Sequence, residues 1–271
     1  MRSSQLAPSE IPIIQQGIDP TLERRLQLFT RILRSDRPWE LTDHDVCITL
    51  STSIRGKLCQ RMAELPARNY PAGRQLYSVG NPARSVFLVQ SGLIKTSAVS
   101  EEGEEVTLRL FKAGDLLGEL CLCGGGRREA AVALENSAVI EVPLSTLMAQ
   151  LSRDPEAALE LAMLVCERLS DAYELIESLS WDTVLHRVVR TLLWLAREFG
   201  EPADTGTRLG HYIRQEELAR LVGARREVVS GLLSRLRASG HISYSPRGAI
   251  TVRPTGLQRF LDARDALEKS C

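Results

Sequence analysis

No apolar run in this 271-residue chain reaches the roughly 20 residues that a membrane-spanning helix needs. The first residues, MRSSQLAPSEIP, hold no apolar signal-peptide core, so the chain is expected to stay in the cytosol. No P-loop, GxSxG, HExxH or dinucleotide fingerprint occurs, and Gly124–Gly126 reads as a turn rather than a phosphate cradle opening a helix. The usual signatures of an enzyme are therefore missing. Six cysteines are present (Cys47, Cys59, Cys121, Cys123, Cys166 and Cys271), in no CxxC or zinc-ribbon spacing. In a cytosolic chain they argue against structural disulfides. Net charge is also absent, 34 basic side chains standing against 34 acidic ones.

That neutrality hides a division. Residues 184–271 carry 15 basic and 9 acidic side chains, which leaves 19 and 25 for residues 1–183. The excess is densest from Arg214 to Arg259, with nine Arg, no Lys and three acids. A solvated surface mixes signs, whereas a one-sided basic module suggests contact with nucleic acid. The stretch YIRQEELARLVGARREVVSGLLSRLRASGHISYSPRGAITV (212–252) has the matching pattern. Gln215–Leu221 reads as a short helix and Gly223 as a turn residue able to take positive φ. Arg225–Ser239 reads as a second helix with Val228, Val229, Leu232, Leu233 and Leu236 on its packing side. His241–Val252 reads as a hairpin with Pro246, Arg247 and Gly248 at its tip. Together these predict a winged helix-turn-helix, whose second helix enters the DNA major groove. Arg225, Arg226, Glu227 and Ser230 stand at the reading end, with Arg214 and Arg247 as further contacts. Arg suits the O6/N7 edge of guanine, and Glu can accept from the N4 amine of cytosine.

The length suffices for about two domains. Residues 1–50 form an N-terminal extension with an amphipathic helix at Thr21–Ser35, and a further helix is expected over Ser53–Met62. Glycines at 73, 80, 92, 103 and 114 then punctuate short strands: Gln75–Val79, Ser85–Gln90, Leu93–Ser97, Val106–Phe111, Ala130–Leu134 and Ala138–Val142. This predicts an antiparallel roll or jelly roll over 51–152, enclosing a natural ligand site. Pro143–Leu151 restarts helix. In the uninterrupted helix that follows, Ala158, Ala162, Val165, Leu169, Ala172, Ile176 and Leu179 keep spacings of four and three, the seam of a coiled coil. A second apolar set (Leu159, Met163, Cys166) is expected to pack on the roll. The helix over 153–182 is thus expected to pair two copies, which suits a symmetric reader of two half-sites. Asp182 or Thr183 caps the next helix, Val184–Phe199, and Gly200–Gly210 reads as a polar link within the DNA-binding domain 183–271. The fold class is α+β.

Roll, dimer helix and winged helix-turn-helix in this order resemble the cyclic-AMP receptor protein/FNR family of bacterial transcription regulators. The resemblance rests on GDLLGEL (114–120) with the Arg pair after it and on ELARLVGARREVVSGLLSRL (217–236), and covers about residues 55–255. It implies a homodimer on promoter DNA, working with RNA polymerase if it activates, in which an effector in the roll shifts the dimer helices. It implies base contacts by Arg226 and Glu227, with Gly231 where the cyclic-nucleotide members have another Arg. In the roll it implies an effector site at Gly118, Glu119, Leu120, Arg128, Glu129, Ala172 and Tyr173.

Several departures point away from cyclic AMP. Glu129 stands where a Ser would meet the phosphate, the loop before it is one residue shorter, and Ala172 and Tyr173 replace helix hydroxyls. The effector is left unknown: a small metabolite, no ligand at all, a cyclic nucleotide, or an iron–sulfur or other metal or thiol sensor using Cys47, Cys59, Cys121 and Cys123. In an extended segment, Cys121 and Cys123 would point to one side.

Overall fold

The computed structural model describes residues 61–244 and 248–268, with side chains as far as 262. The helix expected at Thr21–Ser35, most of that expected at Ser53–Met62, the pair Cys47 and Cys59, and Pro246–Arg247 of the wing tip lie outside the described residues.

Eight strands build the roll: β1 (Ala67–Tyr70), β2 (Gln75–Tyr77), β3 (Ser85–Ser91), β4 (Ile94–Val99), β5 (Glu105–Phe111), β6 (Leu116–Leu117), β7 (Ala130–Ala133) and β8 (Ser137–Pro143). They form two four-stranded antiparallel sheets, ordered β1-β8-β3-β6 and β2-β7-β4-β5. Two strands had no counterpart in the sequence pattern. β1 (ARNY) buries only Tyr70, and β6 is two residues long, so neither shows alternation.

β3 is apolar on both sides because both of its faces are covered. Phe87 and Val89 point between the sheets, where Tyr77, Ile94, Phe111, Leu117 and Val139 meet them. Val86 and Leu88 point the other way, onto Leu147, Ala157 and Leu161 of the helices behind. The hydrophobic run therefore specifies a central strand.

Helix α1 (Leu144–Arg153) returns across this sheet and α2 (Pro155–Trp181) leaves it. Asp154 ends the first and starts the second: its carboxylate accepts from the Glu156 and Ala157 N–H groups, and Pro155 fits the first helical turn. Thr183 caps α3 (Val184–Phe199) by accepting from the His186 N–H. The expected polar link at Gly200–Gly210 is instead a hairpin, β9 (Gly200–Ala203) and β10 (Gly206–Leu209). It joins β11 (Ile242–Ser243) and β12 (Thr251–Val252) in a third sheet, ordered β11-β12-β10-β9. Sequence polarity misled because only Leu209 of the hairpin is buried. Helices α4 (Gln215–Val222) and α5 (Arg226–Ala238) precede the wing strands. α6 (Pro254–Glu268), which the sequence reading does not anticipate, follows them and buries Leu257 and Leu261.

Candidate functional site

α4 and α5 are joined at Gly223, whose φ of 59° and ψ of 49° are left-handed, the conformation that ends α4 and turns the chain. Leu218, Ala219 and Val222 of α4 pack on Val229, Leu232, Leu233 and Leu236 of α5. Val228, assigned to this packing side from periodicity, is instead 46% exposed. The apolar stripe passes through Val229, and Val228 lies outside it. The reading end is presented as expected in position: Arg225, Arg226 and Glu227 are exposed and Ser230 is half-buried. Arg214, exposed, precedes α4. Arg226 lines a cleft of about 300 Å³ with Tyr212, Arg214, Gln215, Tyr244 and Gly248, so one concavity joins the starts of both helices to the wing. The turn itself is held from α3. Arg187 donates to the carbonyls of Val222 (2.8 Å), Gly223 (3.4 Å) and Asp182 (3.1 Å).

Inside the roll, the buried arginine beside Gly118 is Arg127. Arg128, the match by sequence, is exposed, as is Leu120. The Arg127 guanidinium lies over the Tyr77 ring (4.2 Å) and near Phe87 (5.3 Å), and donates to the carbonyls of Gly118 (3.1 Å) and Ser85 (2.5 Å). Its Nε is buried without a hydrogen-bond partner among the described residues. Gly118 makes room for it: a Cβ there would stand 2.6 Å from Arg127 Nη1, and the φ of 83° suits glycine. Glu129 accepts from the Tyr77 hydroxyl (3.0 Å). Burial first, then the nearby Glu119 charge, hold the Glu129 carboxyl above the usual carboxylate range, against the Tyr77 hydrogen bond and the Arg168 and Arg127 charges. Glu119 pairs with Arg168 of α2 at 2.7 Å, both largely buried, and Arg168 also donates to the Leu116 carbonyl and lies over Phe111 at 4.8 Å.

Sequence matching missed Arg127, Tyr77 and Arg168. The stripe Ala157, Leu161, Leu164, Arg168 keeps helical spacing and was the available signal for Arg168. It also replaces the expected packing set: Ala157, Leu161 and Leu164 join the cluster behind the roll, whereas Leu159 and Met163 are only half-buried and Cys166 is exposed.

A carboxyl whose folded pKa lies above its unfolded one costs stability once the pH exceeds the unfolded value of about 4.3. Glu129→Gln keeps the acceptor for Tyr77 and removes the charge. It should therefore be more stable than the parent at pH 7, with the difference vanishing near pH 4, as read from urea midpoints. An equal midpoint difference at both pH values would refute this account.

The paired Cys121 and Cys123 do not point to one side. They sit in a 3-10 helical turn, Glu119–Cys123, not in an extended segment, so side chains two apart diverge. Cys121 is buried and Cys123 exposed, and burial pushes the Cys121 thiol up. Among the described residues, no three His, Cys, Asp or Glu side chains are grouped so as to hold a metal ion.

The β4–β5 hairpin touches both other parts. On one face Lys95 is buried against α4. Its ammonium meets both Glu217 oxygens (2.9 Å each) and Glu105 (2.9 Å), with side-chain exposures of only 5% for Lys95 and 12% for Glu217. Thr107 reaches Glu217 at 3.4 Å, and Arg220 adds a bond to Glu105 at 3.1 Å. Burial alone would raise the Glu105 carboxyl, but Lys95, Ser97 and Arg220 hold it below the usual range. Leu93 and Leu110 continue this face into the helix-turn-helix core. Lys112 donates to the Glu198 carbonyl (2.6 Å), and His211 meets Glu135 (3.0 Å). On the opposite face Arg109 pairs with Asp171 of α2, an ion pair with exposures of 24% and 48%.

Along α2 the seam positions Ala158, Ala162, Val165, Leu169, Ala172, Ile176 and Leu179 are all exposed in the single chain. Tyr173 is exposed beside Ala172, so both expected effector positions on α2 lie on its exposed side.

Among the described residues no helix is long and apolar enough to cross a membrane. Residues 67–154 match the cyclic nucleotide-binding domain model, and residues 186–260 match the Crp-like helix-turn-helix domain model. The chain is 34% identical over 191 residues to the cyclic AMP receptor protein of Thermus thermophilus, spanning 70% of this chain and 85% of that protein. It is 29% identical to the global nitrogen regulator of Synechococcus elongatus, over 72% of this chain and 89% of the relative. Among solved structures, it is similar to the c-di-GMP-responsive global regulator CLP of Xanthomonas campestris, with 26% identity and a TM-score of 0.63 over 72% of this chain and 96% of that one. Relatives of this kind are regulators, not enzymes. With a nucleotide-binding-type roll and a winged helix-turn-helix in one chain, and this degree of identity over most of a relative's length, the chain belongs to the cyclic-AMP receptor protein/FNR family of DNA-binding transcription regulators.

Proposed function

We propose that two copies of the chain pair along α2 and read a two-half-site promoter. The roll would be residues 51–152, the pairing helix 153–182 and the DNA-binding domain 183–271, with 1–50 as an extension. The observation that carries this reading is the apolar seam of α2, exposed over its whole length in a single chain. A large exposed stripe at coiled-coil spacing needs a partner, and a second copy supplies one symmetrically. Arg225, Arg226, Glu227 and Ser230 would read bases, and Arg214 and Arg247 would hold phosphates. The protein would work in the cytoplasm and meet RNA polymerase where it activates.

The effector is proposed to be something other than cyclic AMP. What supports this is that the buried Arg127 guanidinium beside Gly118 is already stacked and bonded within the chain, and that a carboxyl, Glu129, shares the same Tyr77. Relatives that respond to cyclic AMP or to c-di-GMP exist by name, so the test must include both nucleotides.

Titrating full-length protein with duplexes selected from a randomised pool is the direct experiment. Binding should be salt-sensitive and the selected sites two-fold symmetric. No enriched duplex under any nucleotide or metabolite condition would overturn the reading. Arg226→Ala should lose about 1–3 kcal/mol at one base pair per half-site and relax the preference there. A uniform loss over all sequences would make Arg226 a phosphate contact instead.

A further inference from the structure

Gly231 sits in the middle of the recognition helix α5, where glycine is a poor helix former. Two ordinary reasons for a glycine are missing. Its φ is not positive, and a Cβ built on it would meet nothing within 4 Å among the described residues. Neither backbone conformation nor crowding within the chain calls for it. It also lies on the exposed side of α5, one turn after Val228 and one turn before Ser234 and Arg235, all exposed. Ser234 spends its hydroxyl hydrogen on the Ser230 carbonyl (2.9 Å). The outward face thus carries a bare step at Gly231 beside an apolar, β-branched side chain at Val228, which is 46% exposed.

A glycine that nothing inside the molecule crowds is useful when something outside does. On this helix the outside object is the floor of the major groove. The apolar feature that the groove presents is the thymine 5-methyl group, which branched aliphatic side chains contact well. We infer that Gly231 is a notch that seats α5 close against the bases and brings Val228 onto a thymine methyl, making these two residues specificity determinants beside Arg226, Glu227 and Ser230. The inference rests on the reading of α5 as the recognition helix. It implies an A·T or T·A pair at a fixed place in each half-site, next to the pairs read by Arg226 and Glu227.

The test uses full-length protein and the duplex it selects from a randomised pool. Gly231→Ala adds one methyl group that touches none of the described residues and favours helix. Its Tm should rise by about 2–4 °C. Its affinity for the selected duplex should nevertheless fall tenfold or more, because the added methyl meets the groove floor. The opposite signs separate a contact effect from a folding effect. Replacing each thymine of the half-site in turn with deoxyuridine removes only the 5-methyl group. One replacement should weaken the parent protein about fourfold, and should not weaken Val228→Ala further. Unchanged affinity of Gly231→Ala would overturn the notch, and indifference to every deoxyuridine replacement would overturn the methyl contact. If no duplex is selected at all, the DNA reading itself fails, and the inference with it.

Discussion

Lys95→Met is expected to destabilise the chain by about 3–5 kcal/mol, the effect of removing the most buried cation from an ion-pair cluster. Lys95 lies between Glu217 and Glu105 with almost no access to water, and when its ammonium is lost two carboxylates share Arg220 as their remaining cation among the described residues. For a unit of this size the shift corresponds to roughly 6–20 °C in Tm. The pair itself need not stabilise the fold relative to apolar residues. The double variant Lys95→Met/Glu217→Leu should therefore recover much of the loss. Urea unfolding of the parent, the single and the double variants measures this directly. A single-variant loss below about 1 kcal/mol would mean that water reaches the cluster. Acid gives a second check on the same contact. The Glu105 carboxyl is held low in the folded state, so its contribution is present above about pH 4.3 and disappears as the pH falls through the lower, folded value.

The second large effect concerns pairing. Leu169→Glu with Ile176→Glu places charges on two seam positions that are 51% and 58% exposed in the single chain. The protomer should fold normally, since neither side chain is in its core. Pairing should be lost, because four carboxylates would face one another across a dry seam. A monomer binds two half-sites independently rather than through one effective concentration, so affinity for the symmetric duplex should fall by about 10²–10⁴. Sedimentation and DNA titration on the same samples test this. A variant that stays dimeric would place the pairing face elsewhere, and a monomer with undiminished affinity would remove the need for two half-sites.

Much of this architecture was legible because periodicity reports burial. The α4–α5 pair and six of the roll strands each carry a repeat long enough to read. The failures are local and physical. β9–β10 is polar because it forms a sheet with the wing while burying only Leu209. Val228 fits a helical stripe by spacing, yet α5 already fills its core side with Val229, Leu232 and Leu233. Arg127 and Arg128 differ by a single position, and only the glycine conformation at 118 and the stacking on Tyr77 distinguish them. Lys95–Glu217 joins residues 122 apart, and no one-dimensional pattern encodes that pairing.

The two ties of the β4–β5 hairpin are unequal. Toward α4 the tie is dry and multivalent; toward α2 it is the half-hydrated Arg109–Asp171 pair, worth under about 1 kcal/mol and weakened by salt. The first half of α2 is fastened to the roll by Ala157, Leu161 and Arg168, but beyond Asp171 the helix has an exposed apolar face. A displacement of α2 should therefore shear along the plane between its last three turns and the hairpin, leaving hairpin and α4 to travel as one body. The DNA-reading helices would then be carried by the sheet they are bolted to, with the slip plane at Asp171.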